Sequence, residues 1–448
     1  MPRLFGTDGV RGIANLELTP SIALDLGRAA ATAFRSQHTR PAVLIVRDTR
    51  RSGDLLEAAL SAGLMSAGSD VLACGVLPTP AAAFLATDLR TDAGAVVSAS
   101  HNPADHNGIK FFGPDGFKLT DDQEAHIEAL LTGEVPPAVV GAEVGTISVL
   151  PDAEDRYVAH ALRSLGGRRL DGLKIVVDCA NGAAFRTSPR ALAEAGAEVI
   201  AINDVPDGMN INVGCGSTDL RPVAEAVLGY GADLGLAHDG DADRVLAVDA
   251  TGALVDGDAI IAILALELKE ANRLPGDLVV TTVMANLGFR LAMAGAGIGL
   301  VETAVGDRYV IEAMRQRGIG IGGEQSGHVI LADCSTTGDG LITGLRLAGR
   351  VMATGRRLAE LATVVERYPQ GLVNVPVRNR EALPGAEGVW KAVAAVKASL
   401  GELGRVLVRP SGTEAVVRVM VEAGDQATAD EAAATIVAAV LAGLGDPR

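Results

Sequence analysis

Apolar residues along the chain follow two alternating rhythms. Thr19 followed by Pro20 reads as a helix N-cap and first-turn proline, opening a stretch with Ile22, Leu26, Ala30 and Phe34 on one face. The continuous apolar run Val43-Leu44-Ile45-Val46 comes next and predicts a buried strand. A helix over about Leu55 to Ala67, a strand near Val71, a helix after Pro80 and a strand at Ala95-Val96-Val97 extend the series. Such alternation predicts a mostly parallel sheet with helices on both faces, because parallel neighbours need a crossover connection.

The unit recurs. Leu64, Ala67, Gly68 and Val71 share their spacing with Leu192, Ala195, Gly196 and Val199, and again with Leu291, Ala294, Gly295 and Ile298. Each copy reads as a helix closed by a glycine and followed at once by a strand. Three copies predict three similar α/β domains. Boundaries are expected at Glu134-Val135-Pro136-Pro137, at Thr251-Gly252 with Asp256-Gly257, and at Tyr368-Pro369-Gln370-Gly371. Beyond the last come a strand near Val373–Val377, a helix through Trp390 to Leu400, strands at Val406-Leu407-Val408 and Val416–Val421, and a final helix. The expected fold is α/β: three similar domains (1–150, 151–255, 256–369) with mixed, mostly parallel sheets, plus a C-terminal α+β (βαββα) domain (370–448), around a central cleft.

Composition narrows the function. A chain of 448 residues has material for several cores, and 48% hydrophobic with 3% aromatic residues means Ala, Val, Leu and Ile packing. With 39 basic and 55 acidic residues the net charge is −16, which argues against a nucleic-acid partner. An anionic substrate must then be caught by local arginines and backbone N–H groups. Cys74, Cys179, Cys215 and Cys334 are far apart and form no C-x-x-C pair, so reduced thiols and a cytoplasmic location are expected. The start lacks the apolar core of a signal peptide, and the longest apolar stretch, Ala259 to Leu266, is too short to span a bilayer. A soluble protein with no membrane partner is expected.

Four segments carry candidate chemistry. Ser100 follows a strand and precedes His101-Asn102-Pro103, and His101 and Lys110 are near enough in sequence to neutralise a phosphate or move a proton. In Asp239-Gly240-Asp241-Ala242-Asp243-Arg244 three carboxylates alternate, so in an extended loop they converge on one hard cation, Mg²⁺ first. An EF-hand is excluded: Arg244 stands where that loop needs glycine and Ala250 where it needs glutamate. Strands Leu234-Gly235-Leu236-Ala237 and Val245-Leu246-Ala247-Val248 also replace its helices. Glu324, Ser326 and His328, between Ile319-Gly320-Ile321 and Val329-Ile330-Leu331, suit recognition of sugar hydroxyls and proton shuttling. Arg409, Ser411, Gly412, Thr413 and Arg418 combine glycine, hydroxyls and guanidinium groups as an anion cradle would.

From Gly6-Thr7-Asp8-Gly9-Val10-Arg11-Gly12 to Arg418 these motifs stand in the order of the α-D-phosphohexomutase superfamily, which the chain resembles over nearly its whole length. The resemblance implies that Ser100 is phosphorylated and that the seryl phosphate with Asp239, Asp241 and Asp243 holds one Mg²⁺ per subunit. It implies Glu324, Ser326 and His328 as sugar readers, with Arg244 as a further substrate contact. Arg409, Ser411, Gly412, Thr413 and Arg418 would grip the non-transferring phosphate, and Arg11, His101 and Lys110 would line the phosphoserine. Gln325 favours the amino-sugar branch, as do Asn210-Ile211-Asn212 and Cys215-Gly216-Ser217-Thr218-Asp219. The implied isomerase interconverts glucosamine 6-phosphate and glucosamine 1-phosphate through a bisphosphorylated sugar, which also serves as activator. It would feed UDP-N-acetylglucosamine and peptidoglycan synthesis. The alternative is the same chemistry on mannose or glucose phosphates. Relatives are commonly homodimers. One position departs from the family: His106 stands where aspartate is usual, which implies altered contacts around Ser100.

Overall fold

The computed structural model describes residues 4–6, 8–35, 40–133, 139–411 and 415–445. The boundary signal Glu134–Pro137 and the cradle residues Gly412 and Thr413 lie outside them. The chain divides into two compact units, Met1–Met284 with Ile298–Val364, and Ala285–Gly297 with Val365–Arg448.

Three sheets belong to the first unit. The first contains β1 (Val10–Ile13), β2 (Ala42–Arg47), β3 (Asp70–Val76), β4 (Ala93–Val97), β5 (His106–Phe112) and β6 (Ile147–Val149), in the order β1-β5-β4-β2-β3-β6. The second contains β7 (Lys174–Asp178), β8 (Glu198–Ile202), β9 (Leu234–His238), β10 (Val245–Asp249) and β11 (Leu254–Val255), in the order β11-β10-β9-β7-β8. The third contains β12 (Leu278–Thr282), β13 (Gly299–Thr303), β14 (Ile321–Gly323) and β15 (Val329–Leu331), in the order β13-β12-β14-β15. Each sheet has a parallel core and antiparallel edge pairs: β4 with β5, β9 with β10, β14 with β15.

The apolar runs explain the layering. In β2 both the odd positions Val43 and Ile45 and the even positions Leu44 and Val46 are fully buried. Val43 and Ile45 share a core with Leu26 and Ala30 of the helix Pro20–Arg35 and Leu56, Leu60 and Leu64 of the helix Ser52–Ser66. The helix Thr79–Leu89 also packs on β2 and β4. A strand covered on both faces loses the polar alternation of a half-exposed one, so it reads as continuous apolar sequence. Thr19 caps the first helix as expected, its Oγ1 accepting the Ile22 N–H at 3.3 Å.

The repeat holds with one correction. Gly68 (φ 90°) and Gly196 (φ 109°) make the left-handed turns between helix and strand in the first two copies. In the third copy Gly295 is still inside the helix Leu287–Gly295, and the turn residue is Gly297 (φ 65°). The doubled Ala-Gly of Ala294-Gly295-Ala296-Gly297 lets the spacing match two residues early.

In the second unit β16 (Gln370–Pro376), β17 (Arg405–Pro410) and β18 (Val416–Glu422) form an antiparallel sheet in the order β16-β18-β17, with the helices Glu387–Leu400 and Gln426–Leu444. This is the expected βαββα order. Gln426–Leu444 is long and apolar enough to cross a membrane, yet its Ala433, Ile436 and Val440 join the core with Val417, Val419 and Val421.

Candidate active site

All four candidate segments occupy the same kind of place, the connection between two antiparallel strands. Ser100 lies between β4 and β5, the three aspartates between β9 and β10, Glu324–His328 between β14 and β15, and Arg409–Ser411 at the end of the β17–β18 pair.

Ser100 is buried and has φ 50°, a left-handed conformation that costs a serine about 1–2 kcal/mol. Its Oγ donates to Asp239 Oδ2 at 2.6 Å and lies 3.3 Å from His101 Nδ1. The close approach of the two loops needs Gly240: a Cβ there would stand 2.6 Å from the Ser100 carbonyl oxygen.

Asp239, Asp241 and Asp243 are buried and offer carboxylate oxygens within 4.8 Å of one another. Burial, then Asp243 and Asp241, push Asp239 well above the usual carboxylate range. Burial also opposes the charge of Asp241, but Lys110 at 3.0 Å and the Thr79 hydroxyl at 2.6 Å outweigh it and hold this carboxyl well below that range. Lys110 is itself buried; Asp241, Asp8 and Asp243 more than offset its desolvation and raise its pKa. Asp241 Oδ1 and Asp243 Oδ1 are buried without a hydrogen-bond partner among the described residues. Oxygen-only donors, crowded negative charge and unfilled lone pairs fit a hard divalent cation.

A cavity of about 450 Å³, in the range of small-molecule sites, opens beside this cluster. Asp243, Arg244, Arg11 and His101 line one part of it, and Asp307, Glu324 and His328 another. Enclosure, then Arg244 and Arg11, lower the pKa of His101. Arg11 reaches the Ala99 carbonyl at 3.3 Å and Asn102 Oδ1 at 3.4 Å. Glu324 Oε1 accepts the Gly306 N–H at 3.2 Å. His328 is buried, with Nε2 3.7 Å from Asp307 Oδ2.

Ser100, His101, Lys110, Arg11, Arg244, Glu324, His328 and the three aspartates are thus brought together. One expected contact of the first unit is not. Ser326 is exposed and is not among the cavity's lining residues. Gln325, the marker of the amino-sugar branch, lies outside the cavity lining, and its Nε2 donates to Asp256 Oδ2 at 3.2 Å. In the second unit Arg409 and Arg418 stand opposite one another across β17 and β18, and burial with Arg418 lowers the pKa of Arg409. Ser411 is buried, its N–H on the Val416 carbonyl at 2.9 Å.

Sequence reasoning missed a second charged network at the cavity. Lys118 bridges Asp8 and Asp307, and Asp8 also pairs with Arg11. Asp8 lies inside the Gly6–Gly12 motif and could have been flagged there. Lys118 and Asp307 carry no local signal, because their partners are 110 and 189 residues away. At the departure from the family, His106 Nδ1 lies 2.9 Å from Asp105 Oδ1, in a partly exposed pair.

Four family profiles match: phosphoglucomutase/phosphomannomutase alpha/beta/alpha domains I (residues 2–136), II (155–252) and III (256–368), and the C-terminal domain (372–439). The chain is 55% identical to a phosphoglucosamine mutase of Paenarthrobacter aurescens, over 100% of this chain and 99% of that one. It is 56% identical to one of Saccharopolyspora erythraea, over 98% and 100%. Among solved structures, a phosphoglucomutase/phosphomannomutase family protein from Burkholderia thailandensis superposes with a TM-score of 0.83 at 26% identity, over 99% of both chains.

Proposed function

The chain belongs to the phosphoglucosamine mutase family, within the phosphoglucomutase/phosphomannomutase superfamily, and we propose from this how its residues divide the work. It is an isomerase that interconverts glucosamine 6-phosphate and glucosamine 1-phosphate, the amino-sugar precursor of UDP-N-acetylglucosamine.

Phosphorylated Ser100 gives its phosphoryl group to O1 of glucosamine 6-phosphate. The bond from phosphorus to Oγ breaks as the bond to O1 forms, and the product is a bisphosphorylated sugar. After this sugar reorients, its 6-phosphate passes to Oγ and glucosamine 1-phosphate leaves. His101, 3.3 Å from Oγ, is suited to supply the proton that the departing serine oxygen takes. His328 on the cavity wall is suited to accept the proton of the attacking hydroxyl. Lys110, Arg11 and Arg244 offset charge on the phosphoryl oxygens. Asp239, Asp241, Asp243 and the seryl phosphate would hold Mg²⁺, which when bound spreads the charge of the transferring group. Glu324, on the cavity wall, reads the sugar, and Arg409, Ser411, Gly412, Thr413 and Arg418 hold the idle phosphate.

The observation that carries this reading is the 2.6 Å hydrogen bond from Ser100 Oγ into the carboxylate cluster. It joins a nucleophile on one sheet to a cation site on another. Intact-mass analysis after incubation with glucose 1,6-bisphosphate tests it: one phosphate, localised to Ser100, is expected, and its absence overturns the covalent route. Faster turnover of glucosamine 6-phosphate than of glucose 6-phosphate is the matching substrate result. A preference for the neutral sugar overturns the amino-sugar assignment.

A further inference from the structure

We propose that Arg50 and Asn212 are positioning residues that lock the backbone of the Ser100 loop so that Oγ faces the carboxylate cluster. The inference rests on the reading above only in taking Ser100 Oγ as the reacting atom.

A serine at φ 50° in an irregular loop persists only where its surroundings over-determine it. Here they form a closed circuit. The Ser100 N–H donates to Ser98 Oγ at 3.0 Å, and Ser98 Oγ donates to Asp48 Oδ2 at 2.6 Å. Asp48 Oδ2 also accepts from Arg50 Nε at 2.9 Å, and Arg50 Nη2 returns to the Ser100 carbonyl at 2.9 Å. Both backbone polar groups of Ser100 are therefore tied, and the circuit runs through an ion pair wholly removed from solvent.

The remaining donors of Arg50 continue the work. Nη2 reaches the Asn102 carbonyl at 2.8 Å, and Nη1 reaches those of Pro103 and His106, the latter at 3.0 Å. One planar guanidinium thus gathers four carbonyls of one loop, which the fixed fork of arginine allows and a lysine cannot reproduce. Asn212 supplies a second strap from the loop after β8. Its Nδ2 donates to the Ser100 carbonyl at 2.9 Å and the Asn102 carbonyl at 3.3 Å, while its own N–H is held by the Ala180 carbonyl at 2.9 Å. Asn212 belongs to the Asn210-Ile211-Asn212 segment that the sequence associates with substrate type. The geometry assigns it instead to the Ser100 backbone.

Neither side chain touches Oγ, and neither lines the cavity. With the carbonyl drawn to Arg50 and Asn212, the side chain is left directed at Asp239. Phosphoryl transfer needs in-line placement, and a misplacement of about 1 Å costs on the order of 100-fold in rate. Loosening the straps should therefore lower kcat while leaving sugar binding alone.

The test uses the full-length protein with glucosamine 6-phosphate and Mg²⁺. Arg50→Lys keeps the charge beside Asp48 but not the fork; kcat is expected to fall about 100-fold with KM within about twofold. Because a buried arginine also supports folding, Asn212→Ala and the isosteric Asn212→Asp are run beside it. Asn212→Asp turns a donor into an acceptor facing two carbonyl oxygens, so it should lose more kcat than Asn212→Ala, for which about 10-fold is expected. The rate at which Ser100 takes phosphate from glucose 1,6-bisphosphate should fall in the same proportion in each variant. Wild-type rates in the Asn212 variants, a loss confined to KM, or a loss accounted for by the unfolded fraction in a thermal melt overturns the proposal. A wild-type protein that never carries phosphate on Ser100 overturns the underlying reading instead, so the two failures are told apart by the wild-type arm.

Discussion

The acidic turn between β9 and β10 and the arginine pair on β17 and β18 use one local plan with opposite charge. Each stacks like charges at the end of an antiparallel strand pair, and a ligand of the other sign would relieve each. They differ in burial. Asp239, Asp241 and Asp243 are almost completely enclosed and tied to Ser100, Lys110 and Thr79 across the first unit. Arg409 and Arg418 are only half-buried. Charge in a dry, preset site acts on the transition state, whereas charge at a wetter surface mainly sets how tightly a group is held. The acidic turn should therefore govern kcat and the arginine pair KM.

The largest effect expected is from Ser100→Ala, which should lower kcat by about 10⁴-fold or more while the thermal midpoint stays within a few degrees. Turnover above a hundredth of wild type would remove the serine from the comparison. Next, Asp239→Asn should lower kcat about 10³-fold and weaken Mg²⁺ binding in calorimetry. The same change should raise the stability of the metal-free protein by about 1 kcal/mol, because one buried charge leaves a crowded cluster.

The sign of the pH dependence follows. A carboxyl whose folded pKa is raised contributes stability that is full below about pH 4 and is lost as pH rises through the folded value. Metal-free protein should thus melt higher at pH 5 than at pH 8 on account of Asp239, and saturating Mg²⁺ should flatten the difference. In contrast, Arg409→Gln should raise KM for glucosamine 6-phosphate about 10-fold or more with kcat within a few-fold. A pure kcat effect there would break the contrast between the two regions.

The smallest effect concerns Asp339, which caps the helix Gly340–Thr354 through the Ile342 N–H and accepts the Tyr157 hydroxyl at 3.0 Å. Burial raises it to about 7, so its stabilising share is lost between about pH 4 and 7. Asp339→Asn keeps a capping oxygen and should gain on the order of 1 kcal/mol over wild type on going from pH 5 to pH 8, read from urea midpoints.

Much of this organisation was open to local reading. The helix–strand alternation, the capped first helix and the βαββα tail all follow from periodicity and turn residues, which are properties of near neighbours. So does the acidic triplet, since alternate residues of an extended loop share a side. The third repeat was misplaced by two residues because two Ala-Gly steps stand in succession and only the backbone distinguishes Gly297 from Gly295. Ser326 stands outside the cavity for a related reason. In a five-residue connection closed by the Glu324 and His328 backbones, neighbouring side chains leave in different directions.

The chain's local pattern was sufficient to identify the elements, the four loops and the chemical type of each, because each is encoded within a few residues. Which groups meet was decided by the tertiary fold alone. Ser100 reaches Asp239 across 139 residues, Lys110 reaches Asp241 across 131, and Asn212 straps the Ser100 carbonyl across 112. Those pairings depend on how the sheets bring their hairpin ends together, and no window of sequence contains both partners. The same distance explains why Arg50, silent in the sequence, emerges as the residue that gathers the Ser100 loop: its partners are backbone carbonyls, which every residue has and only the fold can aim.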